Sequence, residues 1–554
     1  MMRRMSDDRL STSELDVVVI GAGFAGMYAL YRLRAAGFSV CGLEAGDDFG
    51  GTWYWNRYPG ARCDVESIKY QYLFDEELVR GWRWSERYAA QPEIEQYVHY
   101  VAQRLDLHRD FRFQTRVTAA TYREDAGRWQ VKTDRGDDIS ARFVIAAVGG
   151  LSAPNLPKIE GLDSFGGEIY HTGLWPKQDV DLAGKRVAVI GTGSSGVQAI
   201  PAIAKVAAHV HVFQRTAQFT VPAGQRVLDR EAEDRFMDGF AQWRERSLRL
   251  PNGYHGHQAA HASALDDSDD EFRNKYDERW EYGGALDFLT VHDDVITNPQ
   301  ANERVCDYVR AKISAIVKDP HTAELLSPKL PIGAKRFIVD TGYFETYNRD
   351  NVTLVDIRDQ PIDRITPSGI VAGGSEYELD TIVFATGYDA MTGTLLQLDI
   401  RGRDELTLRE AWADGPVTLL GLQVAGFPNL FLITGPLSPS LRANVLLGIE
   451  VCVEWIAACL LRMRDQKFDT IEATAEAQGS WVEHAQSVIR GTIYEQVDTW
   501  YIGANIPGKP RVYMVYMGGF DRWAGRTEEV AQAGYEGFQL SRLRADADTA
   551  LAHP

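Results

Sequence analysis

What this chain lacks narrows its chemistry first. Among 554 residues there are five cysteines, Cys41, Cys63, Cys306, Cys452 and Cys459, an odd number scattered with no Cys-x-x-Cys spacing. A disulfide framework and a redox dithiol are thereby excluded, no metal-ligand pattern remains, and a reducing cytoplasm is the expected compartment. Positive charge is also in deficit, with 59 Lys and Arg against 78 Asp and Glu and a net charge of −19. Such a field repels nucleic acid and anionic membranes, so neither is an expected partner. No uncharged apolar run approaches the roughly 20 residues of a membrane span. The Met1 to Glu14 stretch has no apolar core of the kind a secretory signal needs. A soluble protein is expected, with a frayed N-terminal tail and a disordered end at 545–554.

The length is too great for one hydrophobic core and predicts two or three domains. The first begins at Leu15-Asp16-Val17-Val18-Val19-Ile20, a β-branched run suited to a buried parallel strand. It leads directly into Gly21-Ala22-Gly23-Phe24-Ala25-Gly26, then a helical stretch from Met27 to Ala36, a second strand from Ser39 to Leu43, and Glu44, which stands 23 residues after Gly21. Glycines at this turn let a pyrophosphate approach a helix N-terminus, and the acid accepts from a ribose 2′-hydroxyl. The same unit recurs as Lys185 to Ile190, Gly191-Thr192-Gly193-Ser194-Ser195-Gly196, a helix from Val197 to about Ala208 and a strand from His209 to Phe213. Its end differs. Gln214-Arg215-Thr216 replaces the acid, and a guanidinium there pairs with a 2′-phosphate, which points to NADP rather than NAD.

Two dinucleotide units, one for a free ribose and one for a phosphorylated ribose, are what a flavoprotein reduced by NADPH needs. The fold class expected is α/β, with two Rossmann-like domains, one for FAD and one for NADP, and a helical insertion. Strands at 142–150 and around Asp380-Thr381-Ile382-Val383-Phe384 mark the chain leaving and re-entering the first domain. The NADP domain is thus inserted in the FAD domain. The expected boundaries are 1–150 (FAD domain, first part), 151–221 (NADP domain, first part), 222–330 (helical insertion), 331–385 (NADP domain, second part) and 386–554 (FAD domain, second part, with a mobile loop near 490–510). His255, His257 and His261 lie in a polar Gly/Ala-rich part of the insertion without supporting acids, so a solvated loop is expected there.

Two stretches concentrate unusual residues. Gly50-Gly51-Thr52-Trp53-Tyr54-Trp55, continuing through Tyr58-Pro59-Gly60 to Asp64, is either the cover of a large flat ligand or a loop whose rings fill a groove of the protein itself. Lys335-Arg336 follows the insertion. Two adjacent cations are either solvated surface charges or the ends of a site with separate anions, Lys335 toward a 2′-phosphate beside Arg215 and Arg336 toward an anion at the flavin.

Together with Phe165-Gly166-Gly167-Glu168-Ile169-Tyr170-His171-Thr172-Gly173-Leu174-Trp175, a Phe-x-Gly-x-x-x-His-x-x-x-Trp run, these features resemble the FAD- and NADPH-dependent Baeyer–Villiger monooxygenases. The resemblance runs from about Leu15 to Leu540 and includes Trp500 to Lys509, which is similar to the family's control loop. It implies conversion of ketones into esters or lactones with NADPH and O₂ through a C4a-peroxyflavin, in a monomer or weak homo-oligomer. It makes Arg336 the electrostatic catalyst and Asp64 its orienting carboxylate, and His171 a hinge rather than a catalyst. The cofactor-binding residues expected are Gly21, Gly23, Gly26, Glu44, Gly51, Thr52, Trp53, Asp64, Tyr70, Val117, Val445, Gly191, Thr192, Gly193, Ser194, Ser195, Gly196, Gln198, Arg215, Thr216, Lys335 and Trp500. The segment Gly435 to Val445 resembles one that borders substrate and flavin, where Leu437, Leu441 and Arg442 would narrow one wall. Heteroatom oxygenation by a flavin monooxygenase is the alternative activity, and a catalytically silent nucleotide sensor the alternative from another class.

Overall fold

The structure is a computed structural model that describes residues 14–254, 262–440 and 443–543. Residues 1–13 and 545–554 of the expected tails, the three histidines at 255, 257 and 261, and Leu441 and Arg442 lie outside the described residues, while Glu14, expected in the N-terminal tail, begins the first strand.

The chain opens with β1 (Glu14–Ile20), the helix Phe24–Ala35 and β2 (Val40–Leu43). A short β3 (Phe111–Arg112) and an antiparallel excursion of β4 (Val117–Arg123), β5 (Arg128–Thr133) and β6 (Asp138–Ala146) follow. The chain then crosses to a second sheet built from β7 (Glu168–His171), β8 (Arg186–Ile190) and β9 (His209–Gln214). Strand β10 (Thr220–Pro222) leads into the insertion, whose helices are Arg230–Leu248, Asp269–Tyr282, Ala285–Leu289, Pro299–Ile316 and Pro320–Leu326. Strand β11 (Ile338–Asp340) pairs back onto β10. The second sheet is completed by β12 (Val352–Asp356) and β16 (Thr381–Phe384), between which β13 (Ile362–Thr366), β14 (Gly369–Ala372) and β15 (Ser375–Glu378) form a separate three-stranded antiparallel sheet. Then β17 (Asp399–Arg401) and β18 (Leu430–Leu432) return to the first sheet.

The first sheet has the order β17-β4-β5-β6-β1-β2-β3, with β18 pairing β6, and the second β12-β9-β8-β16-β7. Val17 to Val19 and Val187 to Val189 have no exposed surface, because each central strand is covered on both faces. The helix after the second glycine turn ends at Ile203 rather than near Ala208, since Pro201 stands inside its last turn and the chain then tightens. The strand expected at 142–150 stops at Ala146, where the chain turns out of the sheet.

Two features hold the parts together. The two crossings between the sheets run side by side: Asn155 N–H donates to Gly387 O (2.9 Å), Asp389 N–H to Ala153 O (2.8 Å) and Met391 N–H to Gly150 O (2.7 Å). The insertion is anchored by buried charge. Glu450, fully buried in the helix Val445–Gln466, accepts from Leu73 N–H at 2.6 Å and from the Arg244 guanidinium at 2.8 Å. Arg87 donates to Ala223 O (3.2 Å), Tyr282 O (2.8 Å) and Gly283 O (3.1 Å) and pairs with Glu66 (2.8 Å). A buried charge without such partners would cost several kcal/mol, so the insertion's seat against the first sheet is narrowly defined.

Candidate active site

Both glycine turns are sterically obligatory. Gly21 has φ +105°, and a Cβ on it would lie 2.6 Å from Ala147 O; a Cβ on Gly26 would lie 1.8 Å from Gly21 O. The second unit repeats this with Gly191 and Gly196, where the added Cβ would meet Ala385 O at 2.5 Å and Gly191 O at 2.2 Å. The helices that follow have glycine N-caps, Gly23 and Gly193, with no side chain capping either. Their first N–H groups are therefore available to a phosphate. A Cβ on Gly193 would meet nothing within 4 Å, so open space stands before that helix. Glu44 ends β2 with one oxygen accepting from Ala22 N–H and the other from Gly46 N–H, both at 2.7 Å. Burial raises its pKa against these lowering hydrogen bonds.

The stretch from Gly50 to Asp64 spans the space between the turns. At its start a Cβ on Gly51 would lie 2.8 Å from Gly23 Cα, so the backbone rests on the first turn. Thr52–Trp55 forms one helical turn in which Trp53 and Tyr54 are buried. The Trp53 indole N–H donates to Tyr70 OH at 3.0 Å, and Gln91 donates to Trp53 O at 2.7 Å. At mid-length Tyr58 OH donates to Gln198 Oε1 (2.8 Å), which also accepts from Arg62 N–H (3.3 Å), while Gln198 Nε2 donates to Arg62 O (3.0 Å). Gln198, expected to face the cofactor, uses its amide to clamp this stretch onto the second dinucleotide helix. At its end Asp64 receives Arg336 in a two-pronged pair, Nε to Oδ2 at 2.5 Å and Nη2 to Oδ1 at 2.6 Å.

Around Arg336 lie the phenols of Tyr501 and Tyr254. Burial pushes its pKa down, but the charge and hydrogen bonds of Asp64 outweigh that and hold it above the usual arginine value. Lys335 points the other way: burial and the nearby Arg215 push it down to about 8. It lines a recess with Gln218, Phe219, Pro331 and Phe337. Arg215 and Thr216 are exposed after β9, and Thr192 donates its hydroxyl to Thr216 O at 3.0 Å. Ser194 and Ser195 open the helix after Gly193.

The remaining expected residues are more dispersed. Val117 is buried at the start of β4 and pairs with Thr133. Val445 is the first residue of its helix behind the Asn444 cap. Trp500 packs against the fully buried Tyr501, ring centroids 4.0 Å apart and tilted by 35°. His171 is buried, accepts from Gly173 N–H at 2.9 Å and lies 3.4 Å from the Thr386 hydroxyl. Burial lowers its pKa. It ends an edge strand, paired with Phe384 of β16. Leu437 is fully buried in the core, and its N–H donates to Met514 O at 2.8 Å.

Sequence reasoning missed Tyr388, Asn56, Asn505 and Lys509. Tyr388 donates its hydroxyl to Asn56, its carbonyl accepts from Asn505 at 2.8 Å, and the neighbouring Asp389 pairs with Lys509. The signals available were the Gly387-Tyr388-Asp389 ending of a strand at the chain's return and the control-loop-like run Trp500 to Lys509, which holds Asn505 and Lys509 but does not say what they bind.

Two dinucleotide turns, a bridging aromatic stretch and a single Arg–Asp pair, with five cysteines all buried and unpaired, define a two-nucleotide oxidoreductase that works without a dithiol. The pyridine nucleotide-disulphide oxidoreductase family matches residues 15–242, a span that includes both glycine turns. A Baeyer-Villiger monooxygenase from Pseudooceanicola batsensis is 42% identical over 530 residues, 94% of this chain and 96% of that protein. The phenazine N-monooxygenase PhzNO1 of Lysobacter antibioticus is 40% identical over 533 residues, 95% of this chain and 97% of that one. The crystal structure of OTEMO in complex with FAD and NADP superposes with a TM-score of 0.91 at 40% identity, over 95% of this chain and 99% of that one. The chain belongs to the FAD- and NADP-dependent Baeyer–Villiger monooxygenases. Among the described residues no helix is long and apolar enough to cross a membrane, and no three His, Cys, Asp or Glu stand together as metal ligands.

Proposed function

We propose that this protein oxygenates a small-molecule ketone to an ester or lactone with NADPH and O₂, Arg336 and Asp64 forming its catalytic pair. The observation that carries the reading is the two-pronged Arg336–Asp64 pair at the end of a stretch resting on both dinucleotide helices. The residues present fit both cofactors. Gly21, Gly23, Gly26 and Glu44, with Gly51, Thr52, Trp53 and Tyr70 above them, would hold FAD. Gly191 to Gly196, Arg215, Thr216, Lys335 and Trp500 would hold NADP.

When bound, FAD supplies acceptance of hydride from NADPH and activation of O₂. The protein's part is to orient, stabilise charge and exclude water. The Arg336 guanidinium stays positive at every working pH and offers donors toward the negative oxygen that develops at the ketone carbon. Asp64 fixes the plane of that guanidinium by occupying Nε and Nη2. Trp53, Tyr254 and Tyr501, all buried, close the surroundings against water.

The test is an NADPH-consumption screen over cyclic, aryl and steroid ketones, with product identification and a parallel count of hydrogen peroxide. Ester or lactone formed in proportion to NADPH supports the reading. Oxygenation confined to amines or sulfides would replace it with the heteroatom activity that the likeness to the phenazine N-monooxygenase favours.

Lys335 sets a pH limit on cofactor binding. Its pKa of about 8 means that it is protonated below that value and neutral above it. Only the protonated form pairs with a 2′-phosphate, so affinity for NADP⁺ is expected to be flat below pH 8 and to fall about tenfold per pH unit above it. Fluorescence titration between pH 7 and 9.5 measures this. Lys335→Met should weaken binding at pH 7 and abolish the limb; an unchanged limb removes Lys335 from the phosphate site.

A further inference from the structure

The turn that follows β16, at residues 388–390, is gripped from two sides. From the flavin-covering turn, Asn56 accepts the Tyr388 hydroxyl, while its own Nδ2 donates to Thr52 O at 2.8 Å. From the segment 499–515, Asn505 Nδ2 donates to Tyr388 O at 2.8 Å. Lys509 Nζ pairs with the Asp389 carboxylate and donates to Ala390 O at 2.8 Å. The Lys509 side chain is 9% exposed and that of Asp389 31%, so this ion pair is shielded on the lysine side. Its stem lies against Gly503, where an added Cβ would approach Lys509 Cδ to 2.9 Å. The His171 ring meets Tyr388 edge to face at 6.2 Å.

The gripped segment carries what closes the site. Tyr501 is fully buried in one cluster with Ala334, the residue two before Arg336, and with Ala390 and Met391. Met514 N–H donates back to Tyr501 O at 3.1 Å, so both ends of the segment meet near the site.

We propose that Lys509 and Asp389 form a charged latch that holds residues 499–515 closed over the Arg336 site, with Tyr388 joining that latch to the flavin-covering turn. All three are positioning residues: they act through Tyr501 and Thr52 rather than on reacting atoms. The lysine suits the task because lifting the segment breaks its ion pair with Asp389 and its hydrogen bond to Ala390 O together, so the closed and open arrangements are two discrete states. The proposal deepens the monooxygenase reading, and only its activity arm rests on that reading.

The experiment compares the wild type, Lys509→Met, Asp389→Asn, the double variant and the conservative Lys509→Arg, each carrying NADP⁺ and checked by thermal melting. Chymotrypsin cleavage after Trp500 and Tyr501, followed by the mass of the fragments so that cuts at other aromatic residues are set aside, reports opening. Either single variant is expected to be cut about fivefold faster than wild type, the double no faster than the singles, and Lys509→Arg close to wild type, because the pair acts as one unit. In turnover, product per NADPH should fall about threefold in the two singles with hydrogen peroxide making up the difference, while anaerobic flavin reduction keeps its rate. Wild-type cleavage rates in both singles, or additive effects in the double, would overturn the latch. If the wild type converts no ketone, the functional reading fails while the cleavage arm still decides the latch.

Discussion

Arg336→Ala is expected to leave flavin reduction by NADPH within about threefold of wild type and to cut ester formation by about a thousandfold, the scale of losing a principal donor to a developing oxyanion. The separation of the two half-reactions is the diagnostic. Hydride transfer needs the two dinucleotides aligned, which depends on the glycine turns, whereas the carbonyl step needs a fixed positive charge. NADPH should therefore still be consumed and its electrons appear as hydrogen peroxide. Removing the guanidinium also leaves Asp64 partly buried without its partner, and such losses cost about 3–5 kcal/mol when burial is complete. The Arg336 side chain is 31% exposed and that of Asp64 14%, so the penalty here is smaller. Arg336→Lys separates charge from geometry: a single ammonium cannot reproduce both prongs, and intermediate activity is the expected result. Full oxygenation by Arg336→Ala would remove the residue from the chemistry.

Gly26→Val carries the second large effect. The first side-chain carbon alone would stand 1.8 Å from Gly21 O, which is backbone and cannot swing aside. Separating the helix Phe24–Ala35 from β1 is expected to cost upward of about 3 kcal/mol. It should also displace the helix N-terminus from its phosphate, giving a protein that purifies without yellow colour and melts well below wild type. Gly479→Ala is the matched control. It lies inside the helix Ala475–Ser487, where an added Cβ meets nothing within 4 Å, and should gain about 0.5–1 kcal/mol from helix propensity. A yellow, stable Gly26→Val would mean that the turn relaxes in a way its packing does not suggest.

The parts of this protein that were legible before its structure are those whose physics is local. A glycine turn between a β-branched strand and a helix must be written in adjacent residues, and both units were readable at Gly21 and Gly191. The absence of the acid after β9, at Arg215, is likewise local. The Arg336–Asp64 pair was reached through family resemblance: nothing in the spacing of either residue requires the other. Gln198 shows what motif reasoning does not reach. Its place in the first turns of a dinucleotide helix suggests a cofactor contact, and its amide also binds Tyr58 and Arg62, which arrive from 136 or more positions away. The partners of Tyr388, Asn505 and Lys509 were unreadable for the same reason, since these contacts span more than a hundred residues. The rings of Trp53 and Tyr54 stood out by composition, and in the fold both are buried, Trp53 bonded to Tyr70 and Tyr54 to Asp47.

The paired crossings at 150–155 and 387–391 act mechanically as a flat strap. Two chains bonded edge to edge resist bending in their own plane far more than they resist twisting about their length. The domains are therefore expected to twist about the strap or fold across its face, and to resist sliding sideways in its plane. The strap is also redundant: a peptide bond cut in one crossing leaves the other intact, so a nicked molecule should travel as one body until denaturant releases the two pieces.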